Sequence, residues 1–180
     1  MLIKTVLAGF GGQGVMSMGL NLAQAAMLEG KVVTYLPSYG AEVRGGTANC
    51  TVAVSDEEIA SPVASSPEFV VALNLPSLVR FQNQVQSGGV IFINSSLIEA
   101  EITRGDVGVV KVPANKIAEE LDNPRSANMV MLGAFARKSN LVKVETLIEV
   151  VRSTMESKAK LFAVNKKALL AGWGSIGGTA

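Results

Sequence analysis

An apolar run, Ile3 to Phe10, leads straight into Gly11-Gly12-Gln13-Gly14 and then into Val15 to Leu28, whose apolar positions Val15, Met18, Leu22, Ala25 and Ala26 recur at helical spacing. No other feature constrains the fold as much. Gly9-Phe10-Gly11-Gly12-Gln13-Gly14 fits the G-x-G-x-x-G pattern in the context that the pattern needs, after a strand and before a helix. The first glycine permits a tight turn. The next lets backbone approach a ligand, and the last lets the helix pack on the strand. Free N–H groups at the helix start then favour an anion. No Asp or Glu ends the following strand, where Pro37-Ser38-Tyr39 stands, so a ribose clamp is missing. No Walker lysine follows the glycines. Three readings stay open on the residues alone: a turn that binds nothing, an ordinary dinucleotide site, and part of a shared active site.

The scarce residues narrow the chemistry. The 180 residues contain no histidine, which excludes Ser-His-Asp and Cys-His sites within the chain and removes the commonest metal ligand. Cys50 is the one cysteine. It cannot form an internal disulfide or hold zinc or an iron–sulfur cluster by itself, and a reducing compartment, the cytoplasm, is expected. Met1-Leu2-Ile3-Lys4 reads as the start of a strand and not as a signal peptide. Apolar stretches are interrupted well before a membrane span's length, so none is expected. A net charge of +1 and 5% aromatic residues give no basic stripe or stacking platform for nucleic acid. With 48% apolar and only 17% charged residues, part of the surface is expected to meet a protein partner.

The rest of the chain reads as alternating elements. Strands are expected at 31–36, 47–55, 68–73, 90–93 and 107–112, and helices at 76–84, 113–121, 127–136, 144–155 and 157–170. Residues 47–55 alternate, with Ala48, Cys50, Val52 and Val54 on one side, so this strand is expected to be antiparallel or near an edge. Leu75 and Leu78 are expected to point inward, as are Ile117 and Leu121. Residues 37–46 read as a polar loop. The last ten or so residues read as a tail that is loose or pinned by a partner through Trp173. The whole, 1–180, is expected to form one three-layer α/β/α domain with a mostly parallel, mixed, Rossmann-like sheet.

The segment Tyr39-Gly40-Ala41-Glu42-Val43-Arg44-Gly45-Gly46 carries a charged pair and three glycines between two strands. Arg44 can fork onto a carboxylate or phosphate, or pair with Glu42 in a rigid solvent loop. This segment, together with the first glycine loop, Ser61-Pro62, Phe92-Ile93-Asn94-Ser95-Ser96 and Asn128-Met129-Val130-Met131-Leu132-Gly133, resembles the gamma subunit of 2-oxoacid:ferredoxin oxidoreductases. That is the pyruvate/ketoisovalerate oxidoreductase gamma domain. The resemblance covers nearly the whole chain and is greatest to the 2-oxoglutarate branch, though the ketoisovalerate and pyruvate branches share the motifs.

The resemblance implies a multisubunit enzyme that decarboxylates a 2-oxoacid on thiamine diphosphate and Mg2+. Electrons pass through iron–sulfur clusters to ferredoxin or another low-potential acceptor, and the acyl group passes to coenzyme A. It implies alpha, beta and ferredoxin-like delta subunits as partners. The chain itself is expected to bind none of the resident cofactors, to be inactive alone, and to form a possible homodimer in isolation. Placed at the family's motif positions, Gly9, Gly11, Gly12 and Gly14 would meet a coenzyme A phosphate or a partner's loop. Gln13 would offer an amide hydrogen bond. Arg44, oriented by Glu42, would bind an anion or an intersubunit carboxylate, and Tyr39 would pack on the ligand or a partner, within the segment that Gly40, Gly45 and Gly46 shape. No catalytic residue and no metal ligand is assigned to the chain.

Other residues have ordinary explanations beside functional ones. Cys50 reads as a buried small hydrophobe. Asn94 ends a strand at the carboxyl edge where ligands collect, and reads either as a turn or cap or as a site residue. Met129 and Met131 read as core or interface, 124–128 as a possible intersubunit contact, and Lys158, Lys160, Lys166 and Lys167 as a solvated face. Two alternatives to the gamma-subunit reading remain: a free-standing Rossmann-type nucleotide-binding enzyme, and a purely structural subunit.

Overall fold

A computed structural model describes residues 1–39 and 47–177. Strand β1 (Leu2–Phe10) is followed by α1 (Val15–Leu28), β2 (Val32–Tyr39), β3 (Thr47–Ser55), β4 (Phe69–Ala72) and α2 (Leu75–Phe81). Then come β5 (Val90–Asn94), β6 (Gly108–Val112), α3 (Ala114–Glu120), α4 (Ala127–Ser139), α5 (Val144–Thr154) and α6 (Ala159–Ser175). Short 3-10 turns at Gln82–Gln84 and Pro124–Ser126 extend α2 and lead into α4.

The six strands form one sheet in the order β2-β3-β1-β4-β5-β6. β1, β4, β5 and β6 run parallel, while β3 is antiparallel to both β1 and β2. The α/β class and mixed sheet are as expected. β3 is antiparallel, as its alternation predicts, but it is inside the sheet, and β2 forms the edge.

The sheet's two faces are covered unequally. Leu7, Cys50, Val52, Val54, Val71 and Phe92 point to a large core shared with α1, α3, α4, α5 and α6. Val6, Ala8, Val70, Ala72, Ile91 and Ile93 point to a smaller core closed by Leu78, Phe81, Val85 and Ile98. Period-two alternation along each strand separates the two sets. Phe135 of α4 ties the large core together, its ring centroid 5.5 Å from Phe69 and 5.3 Å from Phe92.

Three expectations need correction. Residues 37–39 belong to β2; Pro37 is tolerated there because an edge strand needs no donor on its outer side. Leu75 is 43% exposed, because α2 turns Leu78 and Phe81, three residues apart, to the core instead. The segment from Ala171 to Ser175 is helical, and its first three residues pack on the fold. Gly172 is buried, and Arg137 lies over the Trp173 ring at 5.0 Å. A Cβ on Gly172 would collide with Val130 O, and one on Gly133 with Leu169 O. Two glycines on facing helices thus let α4 and α6 touch backbone to backbone.

Candidate active-site cleft at the carboxyl edge of the sheet

β1 ends at Phe10, and the chain reverses so that the Gln13 N–H donates to Phe10 O at 3.1 Å. The Gln13 side chain folds back over this turn. Its Oε1 accepts from Phe10 N at 2.7 Å and from Asn74 Nδ2 at 2.8 Å. Gly9 is required beneath it, since a Cβ there would lie 2.7 Å from Gln13 Oε1 and 2.9 Å from Val15 Cγ2. Gly14 is the residue before α1, at φ +76°, and the space its Cβ would need is filled by Asn128 of α4. Asn128 Nδ2 donates to Gly14 O at 3.3 Å. The expected division among the glycines is therefore redistributed. Gly9 allows the close packing of loop on strand, and Gly14 admits a side chain from another helix. Gly12, at φ +99°, has no neighbour within 4 Å of its missing Cβ and stays open to a ligand or partner.

Two further strand ends supply asparagines. Asn74 follows β4, is 4% exposed, and caps α2 by accepting from Ser77 N at 3.0 Å. Asn94 ends β5 and is 1% exposed. Its Oδ1 accepts from Ala114 N, at the start of α3, and from Ser96 N. Its Nδ2 donates to Leu73 O at 3.3 Å and Asn115 Oδ1 at 2.7 Å. Asn94 is thus turn residue, cap and inter-strand clamp together.

These groups surround a cleft of about 200 Å³. Gly12, Gln13 and Asn94, three of the candidate site residues, line it with Asn115, which the sequence did not single out, and with Arg125 and Asn128 of the 124–128 stretch. In α1, Met18 N–H is the first to reach a helical carbonyl, Gly14 O at 3.0 Å, so the preceding N–H groups form the free first turn. No acidic residue occupies that turn. Arg125 and the Gly12–Gln13 backbone just ahead of α1 border one polar space, which suits an anionic or carbonyl-bearing ligand. The polar side chains among the described residues that line it are amides and one guanidinium.

Tyr39 pairs through its backbone with Ala48, and Phe10 pairs with Thr47. The strands bracketing residues 40–46 therefore end beside the glycine loop. Gly40, Glu42, Arg44, Gly45 and Gly46 lie outside the described residues, as does the Tyr39 side chain. Cys50 is fully buried, and burial pushes its thiol up to about 12. Its Sγ meets Val15 O at 3.7 Å under α1, a packing role. Among the described residues no three His, Cys, Asp or Glu side chains gather where a metal could bind. No described helix is long and apolar enough to cross a membrane.

Residues 4–174 match the family described as pyruvate ferredoxin/flavodoxin oxidoreductase. The chain belongs to that family. It is 42% identical over 94% of its length to the ketoisovalerate oxidoreductase subunit VorA of Methanothermobacter thermautotrophicus, and spans about a third (35%) of that relative. It is 33% identical to the 2-oxoglutarate synthase subunit KorC of Methanothermobacter marburgensis, over 92% of this chain and 96% of the relative. Among solved structures, the keto/oxoacid ferredoxin oxidoreductase gamma subunit of Geobacter sulfurreducens superposes with a TM-score of 0.82 at 25% identity, over 96% of both chains. The 2-oxoglutarate:ferredoxin oxidoreductase of Magnetococcus marinus, solved with 2-oxoglutarate, coenzyme A and succinyl-CoA bound, superposes with a TM-score of 0.91. At 24% identity, over 99% of this chain and 32% of that one, it has the same fold. Membership in this family is what the two glycine-bearing segments predict.

Proposed function

We propose that the chain is the gamma subunit of a cytoplasmic, multisubunit 2-oxoacid:ferredoxin oxidoreductase, and that its carboxyl-edge cleft forms part of the coenzyme A side of the active site. Alpha and beta subunits complete that site, and a ferredoxin-like delta subunit passes electrons to ferredoxin. The observation that carries this reading is the family match over residues 4–174, within which the glycine loop and Asn94 border one polar cleft.

The cleft does not fit thiamine diphosphate with its Mg2+, because its walls offer amides and one guanidinium but no carboxylate to hold the metal. That group, which supplies the decarboxylation chemistry, is assigned to the partner subunits. The donor set does fit the phosphates of coenzyme A. Arg125 and the open backbone at Gly12 would hold the anion, Gln13 would add an amide donor, and Asn94 and Asn128 would keep the walls in place. Tyr39, Glu42 and Arg44, within the segment that Gly40, Gly45 and Gly46 shape, are proposed to face the same site. The positions of Phe10, Thr47 and Ala48 support this. Leu2, Val32 and Leu36 are exposed on the face of the sheet that carries only α2, which suits burial against a partner.

2-Oxoglutarate is the proposed substrate, giving succinyl-CoA, carbon dioxide and reduced ferredoxin. The 42% identity to a ketoisovalerate subunit favours 2-oxoisovalerate as a second reading. Affinity capture of the tagged chain from its source, followed by ferredoxin reduction with each 2-oxoacid, tests both. Coenzyme A-dependent turnover by the captured complex, and none by the chain alone, is expected. Tight NAD binding by the isolated chain would instead support a free-standing Rossmann enzyme. Unchanged coenzyme A affinity and turnover in an assembled Arg44→Ala complex would favour a purely structural subunit.

A further inference from the structure

Gln13 and Asn74 form a chain of hydrogen bonds whose direction is fixed at both ends. At one end Phe10 N–H can only donate, so the atom of Gln13 that meets it at 2.7 Å must be the carbonyl oxygen. At the other end Ser77 N–H can only donate, so the Asn74 atom that meets it at 3.0 Å must also be the oxygen. Asn74 then has only its Nδ2 left, and this donates to Gln13 Oε1 at 2.8 Å. The two amides cannot be reversed without setting donor against donor. With its oxygen taken twice, Gln13 keeps Nε2, which has no acceptor among the described residues, for the cleft that Gln13 lines. Asn74 is 4% exposed, follows β4 and does not line the cleft, so it acts through Gln13.

We infer that Asn74 is a positioning residue that, together with Phe10 N–H, holds the Gln13 amide in place with its oxygen turned inward, so that the cleft receives an N–H donor and selects an anionic or carbonyl oxygen of its ligand. On the proposed function, on which the choice of ligand rests, that oxygen belongs to coenzyme A. The glycine loop and the start of α2 are then one unit, linked across β1 and β4 by two side-chain amides.

Asn74→Asp tests this with little change of shape. An aspartate still caps α2 through one oxygen, but its other oxygen faces Gln13 Oε1, acceptor against acceptor. Gln13 cannot answer by flipping, because its amide nitrogen would then meet Phe10 N–H. In the assembled complex KM for coenzyme A is expected to rise about tenfold, while kcat and KM for the 2-oxoacid change less than about twofold. A helix cap with no role in positioning would leave KM for coenzyme A unmoved, and that result overturns the inference. A second measurement does not depend on the variant folding. In the 15N spectrum of the full wild-type chain, the Asn74 side-chain amide hydrogens are expected to exchange slowly and those of Gln13 fast. Slow exchange at Gln13 would also overturn it. A wild-type complex that turns over without coenzyme A would sink the proposed ligand and leave the amide orientation to be judged by the spectrum.

Discussion

In the 9–14 loop, glycines make room for amide side chains; at Gly133 and Gly172, they bring two helix backbones into contact. The loop is polar and open at Gly12, and Gln13 and Arg125 share the cleft beside it. The α4–α6 crossing is dry, closed and flanked by Leu169 and Val130. The same residue type therefore shapes a polar cleft in one place and provides cohesion in the other. Substitutions should separate the two by what they change.

The largest effect is expected at the helix crossing. Gly172→Ala puts a Cβ against Val130 O, and neither backbone can yield without parting α4 from α6. A loss of about 3 kcal/mol in unfolding free energy is expected, read from urea unfolding. Gly133→Ala, against Leu169 O, should behave alike. Complex that still assembles should keep its coenzyme A affinity. A change in that affinity at constant stability would break the comparison. Gln13→Met comes next. It strips Phe10 N–H and Asn74 of their shared acceptor at a half-buried site, so about 2 kcal/mol of stability should go, together with coenzyme A affinity.

Gly12→Ala is smaller. Nothing crowds the new methyl, and the cost is the positive φ alone, roughly 1–2 kcal/mol. Cys50 gives the smallest effect at neutral pH, which is none. Burial raises the thiol from 9.0 to about 12, so the folded state favours the neutral form. Its contribution is complete below about pH 9 and is lost as pH climbs from 9 towards 12. A thiol reagent at pH 8 should label the unfolded chain and leave the folded one untouched.

Much of this contrast was legible in the sequence, but only on one side. The glycine loop stands between a strand and a helix that periodicity alone delimits, and α1 and β3 have the bounds predicted for them. Asn94 was legible because strand ends at a carboxyl edge are where ligands gather. Asn74 was not, and Asn128 was legible only within the resemblance and a possible intersubunit contact, because their work depends on partners far along the chain, Gln13 and Gly14, which no local pattern reveals. A cap signal was present at Asn74, just before Leu75-Pro76, but a cap does not say what its other atom does. Gly172 was hidden for a similar reason. A glycine-rich end reads as loose until a facing helix supplies Gly133 and Val130. Leu75 misled because the core stripe of α2 is set by Leu78 and Phe81, three residues apart, which leaves Leu75 outward.

The central claim is that the cleft beside the glycine loop receives an anion through Gln13. Gln13→Glu in the assembled complex tests it most directly. The carboxylate can still accept from Phe10 N–H and Asn74 Nδ2, so assembly and the unfolding midpoint should hold, but the atom turned to the cleft becomes a negative acceptor. Calorimetric titration with coenzyme A should show affinity at least about tenfold weaker than wild type. Equal affinity in an intact complex would contradict the account.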